Sequence, residues 1–461
     1  MDEITTLTIV DYHNQFALHF YSHLTQPNSE NVIFSPYSIF TAFAMMYEGA
    51  KGKTKTELKT FFRFPNEKSL HEFLTPLDNS FESYKMFKIE EFKERLKKKY
   101  GGIHNYIQNR NKDIQELNTF LPQLTKFQKP NVNAPLPYTE EKMIQDFSSS
   151  LEKSVGSKNS IFELQTINAL WIQQGYPIKE EFKNCIHELY DGNIFFLDFM
   201  KDSENTAKII NEYVEKHTNQ KLTNLISPDS FTELTRLILT NILYFSGSWE
   251  FPFSKSSTRN KSFWISQDNV IRTPMMAFGA LILNSNKFNY AKLEELEILE
   301  LPYKGGSLSM LIFLPSDNLK SLEKSFTFEE LTHWKNQMKP RTLGGVFLPK
   351  FDFHFKTSAK NILKTLGLFT PFSIAEADFS GISLNVADEG LYIENCHHEA
   401  FIKVNEDGTE AGACTQMEVF MAGCHTSKDP IFNANRPFLF FIQNSITGTI
   451  LFMGKVVNPQ S

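Results

Sequence analysis

Val404-Asn405-Glu406-Asp407-Gly408-Thr409-Glu410-Ala411-Gly412-Ala413-Cys414-Thr415-Gln416-Met417-Glu418-Val419-Phe420-Met421 is the stretch whose reading decides the fold. Side chains along a strand alternate between two faces, and from Gly408 onward this stretch sorts cleanly at that period. Thr409, Ala411, Ala413, Thr415, Met417, Val419 and Met421 fall on one side, all of them small or apolar. Glu410, Gly412, Cys414, Gln416, Glu418 and Phe420 fall on the other, mostly polar or small, and no Pro interrupts the run. Such a segment can stand in solvent and can also enter a sheet as a strand with neighbours on both edges. Alternation alone would equally describe an ordinary edge strand or hairpin.

The rest of the chain mixes strands with helices. Apolar runs at Gln165–Ile172, Leu237–Phe245, Ile298–Leu301 and Leu308–Leu314 alternate with helical stretches such as Pro177–Tyr190 and Glu204–His217. Many non-local strands mixed with helices indicate an α+β fold with large antiparallel sheets. Val10, Phe16, Ala17, Phe20 and Leu24 recur at helical spacing over 4–25. Ser35-Pro36 marks a helix start, Pro being favoured in a first turn, and the helix expected over Tyr37–Glu48 is apolar enough to be buried. Residues 80–165 differ: a basic run, an Asn/Gln-rich stretch at 105–120 and a Pro-broken segment at 129–137 read as an insertion of helix and loop. No period of 20 to 50 residues recurs, against a repeat protein.

Composition narrows the function. A net charge of −6 does not favour nucleic acid. Leu308–Pro315 and Pro437–Ile442 are among the longest apolar runs, far too short to span a bilayer. The acidic start Met1-Asp2-Glu3 lacks the basic and apolar regions of a secretory signal, and four scattered cysteines make no disulfide framework. Cytoplasmic synthesis is the expectation, with export by an unconventional route the alternative. The sequon Asn260-Lys261-Ser262 matters only if the chain is secreted.

Several segments in order resemble the serpin family: Asn31–Ile39, Glu48–Thr54, Thr240-Asn-Ile-Leu-Tyr-Phe-Ser-Gly-Ser-Trp249–Phe253, Leu299-Glu-Leu-Pro-Tyr-Lys-Gly305, Leu348–Phe351, Ala377–Ile382, Val404–Ala411, Asn435–Ile442 and Leu451–Pro459. The match covers nearly everything except 80–165. It implies one serpin domain over 1–461, with three β-sheets, about nine helices and an exposed reactive-centre loop at 405–430. It also implies a serine-protease inhibitor that acts as a suicide substrate. The target cuts the loop, and the cut loop then inserts into the main sheet and traps the acyl-enzyme. The hinge of that loop would be Glu406, Gly408, Thr409, Glu410, Ala411, Gly412, Ala413, Cys414 and Thr415. Family spacing puts the scissile bond at Ala422–Gly423; a slip of one or two positions offers Phe420, Met421 or Cys424. Ala suits an elastase-like target and Met or Phe a chymotrypsin-like one. The absence of a basic residue between Glu406 and His425 disfavours a trypsin-like enzyme.

By the same resemblance, Ser35, Ser38, Asn211 and His398 form a polar cluster, the shutter, beneath the sheet centre. Trp249, Lys350 and Glu406 mark the loop's entry point, the breach, with Lys350 and Glu406 as an ion pair. Glu399 stands where the family usually has Lys, and Gly412 and Cys414 interrupt a hinge that is commonly a run of Ala. Cys396-His397-His398-Glu399 looks like a metal cluster, but adjacent strand residues face opposite ways, so no metal is expected. The run Lys93, Arg95, Lys97, Lys98 and Lys99 could bind a polyanion, although a solvated helix face is the commoner meaning. No nucleophile elbow, phosphate loop or zinc motif is present, so an enzyme is not expected, nor any cofactor. The partner implied is a target serine protease in covalent complex with a monomer. A non-inhibitory serpin with a carrier, chaperone or storage role, a cross-class cysteine-protease inhibitor, and an interaction protein working through 80–165 are the competing readings.

Overall fold

The computed structural model describes residues 2–25, 30–74, 89, 92–94, 97, 143–149, 162–190, 192–218, 220–232, 235–279, 282–283, 286–383, 391–409 and 429–460. The chain divides into two compact units, one of Met1–Pro76 with Leu164–Ser461 and the other of Leu77–Glu163. Within the second, Phe92 and Phe147 stack at 4.6 Å and both are buried.

The first unit opens with α1 (Asp2–Thr25), β1 (Val32–Phe34), α2 (Pro36–Gly49), α3 (Gly52–Phe62) and α4 (Glu67–Leu74). After β2 (Phe162–Gln173) come α5 (Glu180–Tyr190), β3 (Asn193–Leu197), α6 (Ser203–His217) and β4 (Leu237–Ser248). Strands β5 (Arg259–Trp264), β6 (Val270–Ala277), β7 (Phe288–Lys292), β8 (Leu296–Pro302) and β9 (Leu308–Pro315) lead to α7 (Leu319–Ser325) and α8 (Phe328–Gln337). The last stretch holds β10 (Lys339–Arg341), β11 (Gly345–Pro349), β12 (Phe351–Ser358), α9 (Ala359–Thr365), β13 (Asn395–Asn405), β14 (Gly408–Thr409), β15 (Ile431–Asn433), β16 (Phe438–Asn444) and β17 (Ile450–Val456).

Among the described residues the strands form three sheets, as the resemblance implies. Seven strands run in the order β1-β17-β16-β9-β8-β7-β10, four in the order β15-β11-β6-β5, and six in the order β12-β13-β14-β4-β2-β3. Helix α2 is buried along almost its whole length because it packs on β17 of the seven-stranded sheet and on β4 of the six-stranded one. Its start follows from local chemistry: Ser35 caps it by accepting from the Ser38 N–H, and Pro36 supplies a fixed φ at the first position. Helix α6 covers the outer face of the six-stranded sheet. Its Ile210 and Val214 pack with Ala169 and Trp171 of β2 and with Ile238 and Ile242 of β4. The chain's 44 phenylalanines do much of this filling: Phe16, Phe40, Phe43, Phe62 and Phe64 form one edge-to-face and stacked group around α2 and α3.

Candidate functional site

Strand β13 runs up the six-stranded sheet to Asn405, turns through Glu406-Asp407, and comes back as β14. The turn is self-made: Asn405 Oδ1 accepts from the Asp407 and Gly408 N–H groups at 2.9 and 3.2 Å. Residues just beyond β4 cap it, with Trp249 N–H donating to Asp407 O and Phe253 N–H to Glu406 O, each at 2.9 Å. The Trp249 indole N–H adds a bond to Asn405 O at 3.0 Å.

Two ion pairs flank the turn. Lys350 Nζ stands 2.9 Å from Glu406 Oε2, and Lys255 Nζ 2.8 Å from Asp407 Oδ2. The Thr258 hydroxyl donates to Glu406 Oε1 at 2.8 Å. Burial works to raise the Glu406 carboxyl, but the bonds from Lys350 and Thr258 outweigh it and hold the group below its ordinary value.

Gly408 and Thr409 are hydrogen-bonded antiparallel to both neighbours, Thr409 lying opposite Val404 of β13 and Gly247 of β4. Further along, β13 and β4 pair directly and in parallel at Asn395–Ile238, Cys396–Leu239 and His397–Thr240. Both strands advance nine residues from the first of those pairs to Val404 and Gly247, so the two neighbours keep one register while a third strand enters between them. The sheet is a wedge, closed at His397 and open at Val404.

Beneath the wedge lies a polar hub centred on Ser35. Its N–H donates to His398 Nε2 at 3.0 Å, its hydroxyl donates to Leu451 O at 2.7 Å, and the same oxygen accepts from the Ser38 N–H at 3.0 Å. An accepting Nε2 sets the neutral His398 proton on Nδ1. One buried serine thus ties the start of α2 to β13 of one sheet and β17 of another.

Asn211, expected in this cluster, is not there. It lies on the flank of α6, where its amide donates to Ile226 O at 2.8 Å and its carbonyl accepts from the Ile226 N–H at 2.9 Å, pinning the segment after the helix. On the outer face, Thr240 accepts from the Trp171 indole at 2.9 Å and joins β4 to β2. Glu399, opposite Lys356 on β12, is buried, and its carboxyl is raised by that burial against the opposing pull of Lys356. Glu399 Oε2 and His397 Nε2 are buried without a hydrogen-bond partner among the described residues.

Tyr303, Lys255, Thr258 and Asp407 belong to this site and were missed by sequence reasoning, although Tyr303 lies inside the quoted Leu299–Gly305 segment. Hinge positions Glu410, Ala411, Gly412, Ala413, Cys414 and Thr415 lie outside the described residues, as do the scissile-bond candidates Phe420, Met421, Ala422, Gly423 and Cys424. Of the basic run, Arg95, Lys98 and Lys99 lie outside them too, while Lys97 sits 3.4 Å from Glu94. Among the described residues no group of three His, Cys, Asp or Glu could hold a metal ion, and no helix is long and apolar enough to cross a membrane.

The family described as Serpin (serine protease inhibitor) matches residues 11–118 and 121–459. An uncharacterised serpin-like protein of Methanosarcina acetivorans is 34% identical over 100% of this chain and 90% of its own length. Human Serpin B3 is 28% identical over 98% of this chain and 100% of its own. Among solved structures, uncleaved ovalbumin superposes with a TM-score of 0.71 at 26% identity, covering 98% of this chain and 100% of that one. Serpin48, a highly specific serpin of the insect Tenebrio molitor, gives 0.70 at 25% identity, covering 99% of each chain.

Proposed function

Since the chain belongs to the serpin (serine protease inhibitor) family, we propose that it inhibits a serine endopeptidase as a suicide substrate. Serpins are in general protease inhibitors rather than enzymes. In the proposed course, the protease serine attacks the Ala422 carbonyl, the Gly423 amine leaves, and Ala422 stays bound to the enzyme as an ester. The freed loop then zips into the wedge before water can hydrolyse that ester.

The observation that carries this reading is β14, two residues of the hinge already hydrogen-bonded between β13 and β4. Continued at the same register, Glu410 falls between Lys403 and Ser246, Cys414 between Glu399 and Ile242, and Thr415 between His398 and Asn241. Gln416 then meets the closed pair His397–Thr240, so full entry must part the three direct pairs of β13 with β4. The parity agrees with the loop's two faces. Thr409 shares the inward face with Val404, both buried, and Ala411, Ala413 and Thr415 follow on that side. Each new ladder bond contributes about 1 kcal/mol net; the gross gain is opposed by the ordering of the loop. The uncut form is then a kinetically held state.

Small or apolar residues at 420–423 support an elastase-like or chymotrypsin-like target. Free thiols at Cys185 and Cys396 support a reducing compartment, with a monomer as the working form. The test is incubation with elastase, chymotrypsin and a panel that includes papain-like enzymes. A complex that survives boiling in SDS is expected with a serine protease, and mass spectrometry of the released C-terminal peptide fixes the bond. Cleavage of the loop without any such complex across the panel would overturn the proposal in favour of a non-inhibitory serpin. A complex with papain-like enzymes alone would make it a cross-class inhibitor.

A further inference from the structure

Thr409 carries a hydroxyl into an apolar position. It is 2% exposed, and the strand residues level with it are Val404 and Gly247, neither of which offers a side-chain partner. A buried hydroxyl needs one. Tyr303 supplies it: the two oxygens are 2.6 Å apart.

Tyr303 does not belong to the sheet that Thr409 enters. It follows β8 of the seven-stranded sheet, and its ring is held on several sides. The Trp249 ring stacks on it at 4.5 Å and Phe245 meets it edge-on at 4.8 Å. Its backbone bridges Trp249, and its N–H donates to Leu308 O at 3.0 Å. Space for the ring beside Thr409 depends on Gly247, since a Cβ there would lie 2.5 Å from the Phe245 ring and 3.3 Å from the Tyr303 ring. The ring is fixed and buried, so its hydroxyl marks one point in the wedge.

We propose that Tyr303 is a positioning residue, whose hydroxyl holds Thr409 at the mouth of the wedge and sets the register in which the loop enters. Two residues of strand make too short a ladder to fix register, and a slip of one residue turns every side chain to the other face. A slip here would bring Gly408, which has no hydroxyl, or Glu410, whose carboxylate would be buried against an aromatic ring. Only the observed register gives Tyr303 its partner. Burial raises the Tyr303 phenol well above its ordinary value, so it stays neutral and able to donate.

The inference rests on the inhibitor reading for its consequence, but not for its test. Tyr303→Phe and Thr409→Val each delete one hydroxyl and keep the shape; Thr409→Ser keeps the hydroxyl. Hydrogen exchange at the Gly408 and Thr409 amides should speed up about fivefold in either deletion, the weight of one net hydrogen bond. The double variant should be no faster than the singles, and Thr409→Ser should match wild type. With a protease that forms the SDS-stable complex, both deletions should raise the amount of inhibitor consumed per enzyme trapped, and again not additively. Unchanged exchange in the deletions, or additive effects, would overturn the role of Tyr303. If wild type traps no protease, the inhibitor reading fails while the exchange result still decides this one.

Discussion

His13 offers a titration that the fold should report. Its ring is fully buried among Tyr37, Phe40 and Phe73, at 6.1, 5.2 and 5.5 Å between centroids. Nδ1 lies 3.2 Å from Asn14 Oδ1, and the Asn14 side chain and the Pro36 backbone oppose burial without offsetting it. Burial pushes its pKa from 6.5 down to about 4. The unfolded chain therefore takes up a proton near pH 6.5 that the folded chain refuses until about pH 4, so stability is full above 6.5 and drains away as pH falls. A tenfold change in proton affinity is worth about 1.4 kcal/mol, which gives roughly 2 kcal/mol lost by pH 5 and about 3 by pH 4. His13→Phe removes the titration with an aromatic ring of similar breadth, and Asn14 Oδ1 keeps the Ile450 N–H as donor at 3.1 Å. Urea unfolding followed by tryptophan fluorescence at pH 7.5, 6 and 5 would be compared for the two proteins. The gap between them should move by about 2 kcal/mol in favour of the variant between pH 7.5 and 5. Other titrating groups, His397 included, are common to both and cancel. Parallel curves would refute the reasoning, because a buried neutral imidazole cannot leave the pH dependence unchanged.

Thr409→Arg places a guanidinium against Val404, Gly247 and Tyr303, a buried position; the inhibitor consumed per protease trapped should rise at least about tenfold, since burying an unpaired charge costs several kcal/mol, and an unchanged ratio would count against entry at this register. Lys350→Ala leaves Glu406 with Thr258 and a backbone N–H; because Lys350 is 40% exposed, the loss should be only about 1 kcal/mol. Glu406 is held below its ordinary value, so its contribution is present above the carboxylate range and lost as pH falls; the variant's acid limb should be flatter than wild type in urea titrations. Gly454→Ala drives a Cβ to 2.4 Å from the Val32 carbonyl and 2.7 Å from the Phe440 ring, and should cost roughly 3 kcal/mol, which over 461 residues lowers the melting temperature by about 3 °C. Gly279→Ala, with nothing within 4 Å, should change it by less than about 1 °C; equal shifts would remove close packing as the cause.

Much of the scaffold is written locally. The Ser35-Pro36 start of α2 needs only a side-chain cap and a fixed φ, and β9 and β16 are apolar runs because both of their faces are covered. The polar cluster was only half legible. Ser35 and His398 are 363 residues apart and meet through strand register, which no local pattern encodes. Asn211 stands beside Ile210 and Glu212, a context that does not say which side of the sheet it faces. The helical period of α6 does: with Thr206, Ala207, Ile210 and Val214 on its buried face, position 211 falls on the flank. Tyr303 was hidden for the same reason as the cluster, since its partner is 106 residues away and in another sheet.

Two polar side chains of β13 lie at the point where the wedge closes. A closed sheet at His397–Thr240 keeps three direct pairs, worth about 1 kcal/mol per hydrogen bond. Against them stand two buried atoms, Glu399 Oε2 and His397 Nε2, without hydrogen-bond partners among the described residues. A buried polar atom without a partner costs about 1–3 kcal/mol, so the two together rival the pairing that holds the junction shut. Both lie on the face opposite His398, and by register Glu399 sits two residues above the closed pair and His397 in it. A strand entering between β13 and β4 would set Cys414 level with the first and Gln416 level with the second. Gln416 carries an amide that can donate to an imidazole nitrogen. If the proposed insertion occurs, the loop brings a donor to the register of His397, where Nε2 has no partner among the described residues.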